Sequence, residues 1–278
     1  MQTRQAMPCH SLLCFLFTGQ IKNLLVSSSI DFGTMMVFIN TIYFKGIWKT
    51  AFNTEDTQEM PFRMTKVGTR APQLEKFKKN CPLLTLSRAS VLQQESKPVQ
   101  MMCLNDTFNV AMLPAEKMKI LELPYTSGLL SMLVLLPDEV SGLERIEKTI
   151  NFEKLREWTS TNAMEKKSMK VYLPRMKIEE KYNLTSILMA LGMTDLFSRS
   201  ANLTGISSVD NLMISDAVHG AFMEVNEEGT EAAGSTGAIG NIKHSLELEE
   251  FRADHPFLFF IRFNPTNVIL LFGRCRSP

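Results

Sequence analysis

Side chains able to act as nucleophiles, general bases or metal ligands are thinly spread along this 278-residue chain. None of the four histidines, His10, His219, His244 and His255, sits beside a nucleophile signature. There is no GxSxG elbow, no HExxH pair and no Walker spacing. The five cysteines, Cys9, Cys14, Cys81, Cys103 and Cys275, form no CxxC pair and are too few and irregular for a disulfide scaffold. Gly234, Gly237 and Gly240 recur every third residue, which fits no phosphate cradle. No enzyme, metal or cofactor is therefore expected. The chemistry that remains is done to the chain. Asn105 with Thr107, Asn183 with Thr185, and Asn202 with Thr204 are N-glycosylation sequons, and together they favour a secreted protein.

The composition bounds the rest. With 45% apolar and 21% charged residues, the chain can build one large domain or two small ones around a real core. Its 30 basic and 29 acidic residues leave a net charge of +1, so no global field draws it to nucleic acid or anionic membrane. Lys76, Lys78 and Lys79 form a local basic patch that reads as a solvated face. Residues 1–20 offer only Arg4 and the short run Leu12–Phe17, thin for a signal peptide and far too short for a membrane span.

The elements fall on either side of one low-bulk stretch. Leu212–Val225 alternates in strand fashion, while Pro256–Phe263 and Val268–Phe272 are continuous apolar runs of buried-strand type. Between them, every residue from Gly229 to Gly240 except Glu231 and Ile239 is Gly, Ala, Ser or Thr. A flexible linker is one reading. A latent strand is the other, because Thr230, Ala232, Gly234, Thr236 and Ala238 would share one small, uncharged face.

Upstream, Thr34–Phe44 predicts a strand buried on both faces, with Asn40 as an internal amide that needs partners. Met118–Pro124 and Ser131–Pro137 predict a buried hairpin across a Thr-Ser-Gly turn. Ser141 with Glu144 predicts a capping box ahead of a first helix, and Asn151 the cap of a second through Leu155 and Trp158. Leu184, Ile187, Leu188 and Leu191 fit a third, ending at Gly192.

EVNEEGTEAAGSTG (224–237) and EEFRADHPFLFFIRFNPTNVILLFGRCRSP (249–278) resemble the reactive loop and carboxy-terminal strands of the serpins, within them the ovalbumin group of egg white. Residues 40–62, 118–144 and 171–198 resemble the same group. The resemblance implies an α+β fold of large mixed and antiparallel sheets with helices and an exposed reactive loop at about 227–250. Residues 1–20 match nothing in that pattern and read as a non-native leader. Residues 21–278 then form a serpin domain, incomplete at its amino terminus and interrupted by a non-family insert at about 67–94 that reads as a retained intron or a faulty gene prediction. Because opening strands and helices of the family have no counterpart before Ile21, a large exposed apolar patch is expected.

What the family does implies roles for particular residues. A protease cuts the loop and the freed segment enters the main sheet as a strand. A dozen residues gaining about 1 kcal/mol each would release on the order of 10 kcal/mol. The pattern puts the reactive bond between Lys243 and His244, which would suit a trypsin-like serine protease; a solvated loop lysine is the plainer reading of Lys243. Glu227, Glu228, Gly229, Thr230, Glu231, Ala232 and Ala233 form the hinge. Asn40 and His219 flank the gap that receives the strand, Trp48 lies at its top, and Arg175 pairs with Glu227 to latch the loop, contributing about 0 to 1 kcal/mol if exposed. Thr230, short and neutral where ovalbumin has a charged residue, favours insertion; the three loop glycines oppose it. An inhibitor, a non-inhibitory secreted storage protein and a truncated product without activity all stay open. The family's full-length form is a monomer, and the ovalbumin type is exported without a cleaved leader.

Overall fold

The computed structural model describes residues 33–66, 93–160, 162–209, 211–228 and 248–278. Residues 1–20, most of the insert, and 229–247 with Gly229 to Ala233, Lys243 and His244 lie outside these. The chain divides into two compact units, residues 1–45 with 176–225, and residues 46–175 with 226–278.

The first unit carries a three-stranded sheet of β1 (Val37–Lys45), β7 (Met176–Asn183) and β8 (Asp216–Val225), in the order β1-β8-β7. β1 and β8 run parallel in unbroken register from Val37 opposite Asp216 to Lys45 opposite Glu224, and β7 is antiparallel to β8. β1 starts three residues later than expected and is not buried on both faces. Phe38 and Asn40 are exposed on one side, Tyr43 and Lys45 on the other. A run without hydrophobic alternation fixes a strand, but it cannot say what covers the strand. The third helix, α3 (Thr185–Ala190), ends as predicted, with Gly192 in the left-handed region at φ 98° and Met193 N–H donating to the Leu188 carbonyl. Its apolar residues bury little, and Leu191 is 73% exposed.

The second unit is built on an eight-stranded sheet. Its strands are β2 (Gln58–Lys66), β3 (Gln93–Leu113), β4 (Met118–Pro124), β5 (Leu130–Pro137), β6 (Glu165–Pro174), β9 (Glu249–Arg252), β10 (Phe257–Phe263) and β11 (Val268–Cys275). The order is β11-β10-β5-β4-β3-β6-β9, with β2 paired to the first part of β3. β2 and β3 stay in register out to Lys66 opposite Gln93, so the chain leaves one strand and joins the other at one hairpin end. Extra residues there lengthen a connection without breaking a ladder.

The β4–β5 hairpin forms as predicted, its turn held by Gly128 at φ 66° and by Tyr125 N–H donating to the Leu130 carbonyl. The inner residues Ile120, Leu133, Leu135, Leu258 and Phe260 of β4, β5 and β10 pack with Leu143, Ile146, Leu155 and Trp158 from α1 (Leu143–Thr149) and α2 (Phe152–Trp158). Asn151 caps α2 by accepting from Lys154 N–H at 2.8 Å. The Ser141 capping box does not form: α1 is capped by Gly142 without a side-chain bond. A Cβ on Gly142 would sit 2.7 Å from Pro137 Cβ, so the close approach to β5 reserves that position for glycine. β11 also departs from expectation. It is the end strand of the order, and Val268, Leu270 and Phe272 stay exposed.

Candidate functional site

The chain entering residues 229–247 is fastened at Asn226–Glu228 within the second unit. Trp48 does this from two sides: its indole Nε1–H donates to the Asn226 carbonyl at 2.8 Å, and its backbone N–H to the Glu228 carbonyl at 3.1 Å. Trp48 is itself fixed, being 3% exposed, stacked on Tyr125 with centroids 4.5 Å apart and set edge-on to Phe52. Glu228 N–H donates back to Asn226 Oδ1, closing a small turn.

Glu227 is the charged centre of this root. Arg175, between β6 and β7, shares its Nε–H with Oε1 at 2.5 Å and Oε2 at 2.7 Å, and Thr57, just before β2, donates its hydroxyl to Oε1 at 2.6 Å. Arg175 is held in turn by its backbone N–H on the Gln100 carbonyl. Burial works to raise the Glu227 carboxyl, but the bonds from Thr57 and Arg175 outweigh it and hold the group below the usual carboxylate range. Glu227 is only 6% exposed, so the pair is not the surface contact that would contribute about 0 to 1 kcal/mol. Hydrogen bonds to a charged group contribute about 1.5–3 kcal/mol each in such surroundings.

In the first unit, Asn40 lies opposite His219 on directly paired strands, with no strand between β1 and β8 among the described residues. Asn40 is exposed, so it is not the buried amide expected from its apolar neighbours. His219 stacks on Tyr182 of β7 at 6.1 Å. The three sequon asparagines are all exposed. Asn183 Nδ2–H and the Thr185 hydroxyl both donate to Asp216, while the Thr204 hydroxyl donates to Asn202 Oδ1 and the Thr107 hydroxyl lies 3.1 Å from Ser168 Oγ.

Nothing among the described residues gathers three or more His, Cys, Asp or Glu side chains as metal ligands, and no described helix is long and apolar enough to cross a membrane. Burial pushes the Cys275 thiol up to about 12 and raises that of Cys103, which suppresses the thiolate in both. Thr57 and Asn226 complete the root, and both were missed. Thr57 acts through its hydroxyl and Asn226 chiefly through its backbone carbonyl, both set by contacts distant in sequence, which leave no period to read.

Residues 17–278 match the family described as Serpin (serine protease inhibitor), and the chain belongs to that family. It is 82% identical to ovalbumin-related protein Y of Gallus gallus over 260 residues, which are 94% of this chain and 60% of that protein. The chain thus spans about three fifths of the length of this relative. Among solved structures it resembles uncleaved ovalbumin, with a TM-score of 0.78 and 53% identity over 97% of this chain and 61% of that one. It also resembles a loop-inserted, cleaved ovalbumin mutant carrying an arginine-to-threonine change, with a TM-score of 0.73 and 47% identity over 97% and 62% of the two chains. The α+β serpin fold is therefore shown.

Proposed function

We propose that this chain is a secreted, ovalbumin-like egg-white protein without inhibitory activity, and that proteases cut it after Lys243 as an ordinary substrate. The observation that carries this reading is the 82% identity to ovalbumin-related protein Y across nearly the whole chain. It shifts a balance that the residues alone had left nearly even, slightly toward an inhibitor. The physics of the root agrees with it. To insert, the segment after Glu228 has to part nine directly paired positions of β1 and β8 and order Gly234, Gly237 and Gly240 in extended form. Secretion follows from the same kinship, with Asn105, Asn183 and Asn202 as exposed acceptors for glycans.

One observation favours a second reading, a loop-inserting inhibitor of trypsin-like serine proteases. A loop-inserted structure exists for an ovalbumin mutant in which arginine became threonine, and this chain already carries Thr230 where ovalbumin has a charged residue. Incubation with trypsin separates the two. Cleavage between Lys243 and His244 with no denaturant-resistant complex supports the storage reading, whereas a covalent complex at near-equimolar yield overturns it.

A further inference from the structure

The chain leaving residues 229–247 enters β9, the last strand in the sheet order and only four residues long. β9 is held by four register pairs with β6, by one further bond from Ala253 N–H to the Tyr172 carbonyl, by the buried Phe251 and by Arg252 over the Tyr172 ring. Directly after it lies a cluster unrelated to the loop root. His255 is 4% exposed, with Nδ1 lying 2.8 Å from Asp254 Oδ1 and Nε2 lying 2.7 Å from the Pro137 carbonyl. Asp254 Oδ1 also accepts from Arg63 Nη2 at 2.7 Å, and Arg63 N–H donates to the Asp254 carbonyl at 2.7 Å. The cluster therefore joins β2, the end of β5 and the β9–β10 connection.

The chemistry of the ring atoms makes this arrangement proton-dependent. A proline carbonyl can only accept, and the ionised Asp254 carboxylate, which already accepts a hydrogen bond from Arg63, can only accept as well, so both ring nitrogens face acceptors. Both bonds are donated only by the imidazolium form. Once the ring loses one proton, a bare nitrogen lone pair faces either a carboxylate or a carbonyl oxygen in a site closed to water. Arg63 of β2 and Arg252 of β9 act on Asp254 beside the ring, and β5 offers the ring the Pro137 carbonyl. Burial works to raise the Asp254 carboxyl, but bonds from His255 and Arg63 outweigh it and keep the group ionised.

We propose that protonated His255 is a clamp that fastens β9 and the chain leading from it to β2 and β5, and that loss of the ring's second proton loosens β9. The clamp stands whether the segment before β9 is a storage-protein substrate or an inhibitory loop.

The full 278-residue chain, labelled with ¹⁵N in its four histidines, tests this in a pH series. The signal that disappears in His255→Lys belongs to His255, and lysine keeps both a charge and several donors. In the closed form both His255 nitrogens should carry protons. As the ring titrates, exchange of the Ala253 amide, corrected for its intrinsic pH dependence, should rise about tenfold with the same midpoint. A tenfold change corresponds to about 1.4 kcal/mol, the scale of one lost buried hydrogen bond. Phe260 in the core should not follow, and His255→Lys should show no such rise. Ala253 exchange that ignores the His255 titration, or a wild type and His255→Lys that track each other, overturns the clamp. Should the variant not fold, sequential backbone-to-ring assignment identifies His255 in the wild type, and the wild-type midpoints decide, since their coincidence supports the clamp and their separation refutes it.

Discussion

Replacing Arg175 with alanine isolates the charged half of the loop root. It leaves Glu227, 6% exposed, with the Thr57 hydroxyl as its remaining side-chain donor. Losing hydrogen bonds to a buried carboxylate costs about 1.5–3 kcal/mol, and the 44% exposure of the Arg175 side chain argues for the lower half of that range. A cost of about 2 kcal/mol raises the opening constant of the root roughly thirtyfold. Trp48 reports that opening directly, because its indole N–H is bonded to Asn226 and its backbone N–H to Glu228. The chain has only two tryptophans, so the Trp48 and Trp158 indole signals are separable by NMR. Exchange of the Trp48 indole proton should accelerate about thirtyfold while Trp158, the last residue of α2 and part of the core, stays the same. The pH dependence has a definite sign. The bonds from Thr57 and Arg175 hold the folded Glu227 carboxyl below the ordinary carboxylate range, so its contribution is complete above that range and is lost as pH falls through the folded value. Acidification should thus raise Trp48 exchange, once corrected for its intrinsic pH dependence, in the wild type and leave Arg175→Ala less affected. Equal acceleration at both tryptophans, or none at Trp48, would refute the latch.

Two other substitutions test the frame that carries the root. Asn151→Ala removes the cap from Lys154 N–H and should destabilise the second unit by about 1 kcal/mol, seen as a melting point lower by about 2–4 °C. Arg262→Met strips the part-buried Glu122 of a 2.6 Å partner and should cost about 3 kcal/mol in denaturant unfolding, while the double variant with Glu122→Leu recovers much of it.

Features set by neighbours in sequence were legible before any coordinates. The β4–β5 hairpin follows from two apolar runs around Thr-Ser-Gly, the α2 cap from Asn151, and the end of α3 from Gly192. Features set by distant neighbours were not. Thr34–Phe44 and Val268–Phe272 are as apolar as the central strand β10, yet β1 and β11 are exposed, because coverage depends on what packs above a strand and not on the strand. Ser141 and Glu144 have capping-box spacing, but Gly142, packed close to Pro137, takes the cap position one residue after Ser141, which leaves Glu144 at the second helical position instead of the third. At the root, likeness to a family paired Arg175 with Glu227 but placed Trp48 at the top of the sheet gap, and the Trp48 bonds to Asn226 and Glu228 entered only through the structure. Thr57 entered only through its hydroxyl contact, and the Asp254–His255 cluster through a carbonyl on β5 more than a hundred residues away.

The proposal of a substrate without loop insertion is tested most directly by melting the chain before and after cleavage between Lys243 and His244. If β1 and β8 stay paired, the melting point should move by no more than a few degrees. A dozen residues inserted between them would add on the order of 10 kcal/mol and raise it by about 20 °C or more, and that rise would contradict the account.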